Sequence, residues 1–339
     1  MDERKLRIAI THGDTNGIGY ELIFKTFAAP EMLELCTPII YGSPKVASYH
    51  RKALNMEAPF SIINSTDDIR DGRLNLLTCF DDDVKVELGT PTAESENAGV
   101  KALIKAVEDQ KNGLIDGLVL APLDKNQELL RRGLVVLHDE RLRIGMATFD
   151  VALKDVAAQI SKENIEKRLE TLFNMLRRDF LISNPRVAVL NLNPNGNGTE
   201  EQEVLKPAVE QMEKAGLQAF GPYAADDFFG TGKYDAFDAV LAMYYDQAAT
   251  PFKALVADCY VVSVAGLPVA CSTSGDDAGF AIAGRGEADE SSFRHAIYAV
   301  IDACRNRARY DEAKSNPLPK LYHEKREDGE KARFAVSKK

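Results

Sequence analysis

Short apolar runs alternate along this chain with longer segments whose apolar positions recur every three or four residues. Residues 6–11, 38–42, 115–122, 187–192, 239–243 and 260–264 are apolar enough to predict buried strands. Between them, residues 20–27, 44–54, 94–111 and 162–178 read as helices. The last is the clearest, because Ile165, Leu169, Leu172, Phe173 and Leu176 fall on one helical face. Pro44 suits the first turn of its helix, where a missing N–H costs nothing. Alternation of this kind predicts an α/β fold on a largely parallel sheet. No linker rich in Pro, Gly or Ser separates two halves, and no internal repeat is visible.

A chain of 339 residues has room for one large domain or two ordinary ones. Apolar residues make up 45% of it, enough for a sizeable core. Lys and Arg number 42 against 52 Asp and Glu, and the net charge of −10 argues against nucleic acid as a partner. The five cysteines (Cys36, Cys79, Cys259, Cys271, Cys304) are odd in number, with no CxxC pair. Neither a disulfide framework nor a thiolate zinc site is expected, and a reducing, cytoplasmic setting fits. No apolar run is long enough to cross a membrane. From residue 316 onward mixed charge predicts a solvated extension.

Polar residues that could carry chemistry cluster where predicted strands end. THGDTNGIGYE at 11–21 places three glycines before a helix, whose N-terminal N–H groups could meet an anion. A structural turn explains the segment equally well, since it is neither a Walker A loop nor GxGxxG. In that turn His12 reads as a surface residue. Lys125, in APLDK at 121–125, ends a buried strand, where ligands of α/β sheets bind. LNPNGNGTE at 192–200, MYYDQ at 243–247 and AGRGEAD at 283–289 are further polar loops. Each alone reads as turn chemistry.

Taken in order, these segments resemble the 4-hydroxythreonine-4-phosphate dehydrogenase (PdxA) family, from about Arg7 to Ala303. The family's ITPGDPAGIGPE stands here as ITHGDTNGIGYE, its TAPINK as LAPLDK and its LNPHAGE as LNPNGNG. Its LAMYHDQ stands as LAMYYDQ, and its GLP and AGRG(K)AD turns as Gly266-Leu267-Pro268 and residues 284–289. The resemblance implies a two-domain α/β/α subunit of the isocitrate and isopropylmalate dehydrogenase type. Residues 1–125 with about 290–315 would form one domain, 126–289 a second carrying a homodimer surface, and 316–339 a charged extension. It implies an NAD- or NADP-dependent oxidation and decarboxylation of 4-phosphohydroxy-L-threonine, or a related phosphorylated hydroxy acid, in pyridoxal phosphate biosynthesis. In the family a divalent metal held by three histidines polarises the substrate alcohol.

Carried over residue by residue, the resemblance assigns Asp246 and Lys253 to catalysis and Lys253, Lys125 and Asp14 to the substrate. Gly284, Gly286 and Asp289 fall to the cofactor. The three metal positions hold Asp150, Asn195 and Tyr245, none of them histidine. A substitute site from these residues and Asp246 would favour Mg²⁺ or Mn²⁺. The family's substrate Asn and Arg align with Val262 and Cys271. Its GHTE segment falls in a stretch between Lys125 and Leu142 that is shorter here by some twenty to thirty residues, roughly one long loop. His138, in this stretch, reads as structural. The sequence therefore supports two expectations: a dehydrogenase of this family, or a catalytically silent homologue serving as a binding or regulatory subunit.

Overall fold

The computed structural model describes residues 4–80, 84–123, 126–256 and 259–316. Lys125 and residues 317–339 of the charged extension lie outside these. The described strands are β1 (Arg7–Thr11), β2 (Thr37–Gly42), β3 (Ser61–Ile63), β4 (Asn75–Thr78), β5 (Gly117–Leu120) and β6 (Leu134–His138). They continue as β7 (Arg143–Met146), β8 (Arg186–Leu190), β9 (Gln218–Tyr223), β10 (Ala239–Ala242), β11 (Val261–Ala265) and β12 (Ala270–Ser274). All join one sheet in the order β3-β4-β2-β1-β5-β12-β11-β6-β7-β10-β8-β9.

The apolar runs became strands where expected, within about two residues, as boundaries of this kind usually do. The helices also match: Gly19–Phe27, Pro44–Ala53, Ala93–Lys111 and Lys162–Arg178. Ser43 caps the second of these, Thr92 and Ser95 form a reciprocal cap on the third, and Ser161 caps the fourth.

The sheet is more mixed than the alternation predicts. β11 runs antiparallel to both β12 and β6, and β6 antiparallel to β7. Short connections cause this, because a parallel crossover needs a dozen or more residues. In the β6–β7 turn Asp139 accepts from the backbone N–H groups of Arg141 and Leu142. The β11–β12 turn uses Gly266 at φ +85°, a conformation glycine adopts freely.

One consequence governs every functional residue. β1, β5 and β12 run one way, whereas β7, β10 and β8 run the other. The C-terminal ends of the two groups therefore lie on opposite edges of the sheet. One face of the sheet is covered by a single apolar cluster in which Leu118, Leu120, Leu137, Ile144, Phe252 and Val262 all take part. On the opposite face two clusters stand apart, one with Phe293 and Ile297 and one with Leu169 and Leu172.

Candidate functional site

The first edge carries the loops after β1, β5 and β12, which pack against one another. Gly13 lies at φ +74°, and a Cβ there would sit 2.3 Å from the Pro122 carbonyl oxygen, so the close approach requires glycine. The Asn16 N–H donates to Asp14 Oδ1, the Gly17 N–H to the Asp14 carbonyl and the Ile18 N–H to the Ala278 carbonyl. Three donors of this glycine-rich turn are thus spent within the protein, as a structural turn requires. Asp14 is buried, and its Oδ2 accepts from Ser95 Oγ at 3.1 Å. It borders a pocket of about 320 Å³ with Thr92, Leu123 and Phe280.

His12 corrects the expectation of a surface residue. It is fully buried, its ring stacked on Tyr20 at 5.1 Å and edge-on to Phe80. Burial, reinforced by nearby His50, lowers its pKa to about 3. The cause is tertiary: the turn it occupies is roofed by neighbouring loops.

The turn at 283–289 is held from below by the first helix. Lys25 Nζ donates to the Gly286 and Ala288 carbonyls, and Glu21 Oε1 accepts from the Ala288 N–H. Gly286, at φ +73°, has no heavy atom within 4 Å of a Cβ position, so its backbone is open to a ligand. Asp289 caps the Ser291–Ser315 helix through Ser291, and those bonds hold its carboxyl below the usual range. An open glycine backbone ahead of a long helix fits a dinucleotide.

Lys253 also lies at this edge. Burial opposes its charge, but a hydrogen bond with Tyr260 and the proximity of Tyr245 and Asp276 keep its pKa above the ordinary value. The Tyr260 hydroxyl donates to the Gly275 carbonyl at 3.3 Å. Asp276 is raised by desolvation, opposed by Ser274, with Asp277 and Asp289 adding to the rise and Lys253 reducing it. Tyr260 and Asp276 were missed in the sequence, since both are brought beside Lys253 only by β11 and β12.

The second edge carries the loops after β7, β10 and β8. Thr148 Oγ1 donates to the Met243 carbonyl at 2.7 Å, the Met243 N–H to Gln247 Oε1, and Gln247 Nε2 to the Asn191 carbonyl. These bonds stitch three neighbouring loops into the cluster that presents Asp150, Tyr245 and Asn195. Asp150 is ion-paired with Arg131, Tyr245 is exposed with its ring 6.4 Å from Phe149, and Asn195 is exposed. Behind them Glu201 accepts from the Leu192 and Asn193 N–H groups.

This donor set does not fit the three-imidazole metal that the resemblance implies. The carboxylate is engaged by a guanidinium, and its companions are a carboxamide and a phenol. Among the described residues no group of three His, Cys, Asp or Glu could hold a metal ion. Asp246 and Lys253 are carried by one helix. They occupy the two ends of the Tyr245–Leu255 helix, separated by about 10 Å of helical rise. Val262 and Cys271 are both buried and take part in the apolar cluster.

A single wide sheet with helices on both faces and open loops at its strand ends defines an α/β subunit of the isocitrate dehydrogenase type. Isocitrate dehydrogenase from Methylococcus capsulatus shares this fold, with a TM-score of 0.52 at 11% identity over 91% of this chain and 89% of that one. A 4-hydroxythreonine-4-phosphate dehydrogenase from Burkholderia phymatum superposes with a TM-score of 0.73 at 27% identity, covering 89% of this chain and 99% of that one. The chain belongs to the family described as pyridoxal phosphate biosynthetic protein PdxA, whose model matches residues 34–133 and 126–300. The two matched pieces meet in the stretch where the sequence is shortened. A 4-hydroxythreonine-4-phosphate dehydrogenase from Bacteroides thetaiotaomicron is 46% identical over 358 aligned positions, covering 98% of each chain. No described helix is long and apolar enough to cross a membrane.

Proposed function

We propose that this chain is an NAD(P)-dependent oxidoreductase of the 4-hydroxythreonine-4-phosphate dehydrogenase type, acting on a phosphorylated hydroxy acid in pyridoxal phosphate biosynthesis. The observation that carries this reading is the 46% identity to a relative of that name along nearly all of both chains. Gly284, Gly286 and Asp289 would hold the dinucleotide, which supplies the hydride acceptor when bound. Lys253 keeps its charge beside Tyr260 and would anchor an anionic or developing alkoxide oxygen. The residues at the metal positions that the resemblance implies do not fit the family's metal. A homodimer is part of this reading. What supports it is that Lys253 and Asp276 lie at one sheet edge and Asp150 and Asn195 at the other, so two copies could join unlike edges.

A second reading, a catalytically silent homologue that retains the fold and binds ligand, is favoured by one set of observations. The Arg131–Asp150 pair and the burial of Val262 and Cys271 occupy positions that the resemblance gives to metal and substrate. One assay separates the two. Purified protein is mixed with 4-phosphohydroxy-L-threonine and NAD or NADP, with Mg²⁺, Mn²⁺, Zn²⁺ or a chelator, and reduced cofactor is followed by absorbance. Turnover that disappears in Lys253→Ala supports the dehydrogenase. Cofactor binding by calorimetry without turnover in any mixture supports the silent homologue.

A further inference from the structure

Between two helices that pack on the sheet lies a cavity of about 870 Å³, which Cys271 lines and Val262 does not. Its helical walls come from the end of Lys162–Arg178 and from Ser291–Ser315. Side chains alternate across a strand, so Ser263 points into this gap where Val262 points into the apolar cluster. Neither Lys253 nor the glycine turn at 283–289 lines it.

Its floor is polar in a place where sheets are ordinarily apolar. His138 on β6, Ser263 on β11 and Ser272 on β12 are all nearly buried, on three neighbouring strands. His138 Nε2 and Ser263 Oγ lie 2.8 Å apart, and Ser263 Oγ and Ser272 Oγ 2.7 Å apart. Burial and then the charge of Arg143 lower the His138 pKa to about 3, so this ring is neutral at ordinary pH. A neutral hydrogen-bonded row of this kind offers donors and acceptors without charge.

The charge balance of the walls selects the occupant. Arg307 is neutralised by Asp179 through two bonds of 2.7 and 2.8 Å. Arg143 forms no ion pair among the described residues, its Nε has no hydrogen-bond partner there, and its guanidinium lies 4.5 Å over the Phe180 ring. Asp139 and Asp238 act on it from a distance, and desolvation is the larger influence. Asp139, Glu140 and Asp302 also line the cavity, against Arg141 as the one further cation among the described residues. Arg141 lies 4.0 Å from the Asp235 carboxylate, and the acidic excess opposes a multiply charged anion. Phe180, Tyr298 and Met175 supply flat and apolar contact.

We propose that this cavity is a second ligand site that takes a small aromatic monocarboxylate, with its carboxylate on Arg143 and its ring against Phe180. A cavity of this size with few convergent polar groups is of the kind that holds small molecules. The hydroxyl row beneath would accept a ring substituent able to hydrogen-bond.

The test uses the full chain with benzoate, benzyl alcohol and phenyl phosphate as probes, read by saturation-transfer NMR and thermal shift. Benzoate binding at least tenfold tighter than either companion is expected. Arg143→Met, checked for folding by circular dichroism, should remove the preference for benzoate over benzyl alcohol. Ser272→Leu, which fills the floor, should reduce benzoate binding, and excess NAD should not displace it. No benzoate signal in the wild-type protein overturns the proposal. So does equal binding of benzyl alcohol, tighter binding of phenyl phosphate, or a benzoate preference that survives Arg143→Met.

Discussion

Lys25 Nζ donates to the Gly286 carbonyl oxygen at 2.9 Å and pairs at 2.9 Å with Glu21, whose carboxylate is almost fully buried. A helix near the start of the chain thereby holds a turn near its end. Lys25→Met should leave Glu21 buried without its cation and cost about 2–3 kcal/mol, less than a wholly buried pair because Lys25 is partly exposed. The same change should loosen the turn at 284–289 and weaken NAD(P) binding. Urea unfolding and cofactor calorimetry on the variant check both effects.

Stability should fall in acid through the buried histidines. The pKa values of His12 and His138 are lowered to about 3 and that of His50 to about 4, in each case mainly by burial. The unfolded chain takes up these protons near pH 6.5 while the folded chain does not. Their contribution is therefore intact above pH 6.5 and is lost as pH falls toward 4 and 3. Each ring should cost about 1.4 kcal/mol per pH unit within that window. Denaturant midpoints between pH 7.5 and 5 measure the slope, and His12→Leu should flatten it. A slope unchanged by that variant would contradict this account.

Placing an arginine at position 271, where the resemblance implies one, should harm the protein. Cys271 is 3% exposed and belongs to the apolar cluster with Leu120 and Phe252. Cys271→Arg buries a second cation beside Arg307, whose partner Asp179 is already engaged, and should cost about 3 kcal/mol or more. Val262→Asn should cost about 1–3 kcal/mol for an unpaired amide. Thermal unfolding decides this, and a Cys271→Arg protein as stable as the wild type would mean an open polar subsite exists.

The second edge should accept a metal once its donors are changed. The Thr148–Met243 and Gln247–Asn191 bonds fix the three loops regardless of the side chains at 150, 195 and 245. The combined substitution Asp150→His, Asn195→His and Tyr245→His should bind Co²⁺ with visible ligand-field absorption, while the wild-type chain gives none. Breaking the exposed Arg131–Asp150 pair by Arg131→Ala should change stability by less than about 1 kcal/mol, measurable in urea.

Much of this protein is legible in its residues taken in order. Apolar runs such as that in β2 determine a strand buried on both faces, and the 162–178 stripe determines a helix with one inward side. Those are local consequences of period and side-chain chemistry. The matched segments also determine the family. Strand direction was not legible, because the short β6–β7 and β11–β12 turns outweigh the βαβ pattern of the rest. That direction separates Lys253 from Asp150 and Asn195. Burial of His12, spending of the 11–21 donors on Asp14 and Ala278, and the meeting of Lys253 with Tyr260 and Asp276 were also decided only in three dimensions. The physical reason is common to all of them. Hydrogen-bond partners, desolvation and charge neighbours come from residues far away in sequence, and only the packed sheet makes them neighbours.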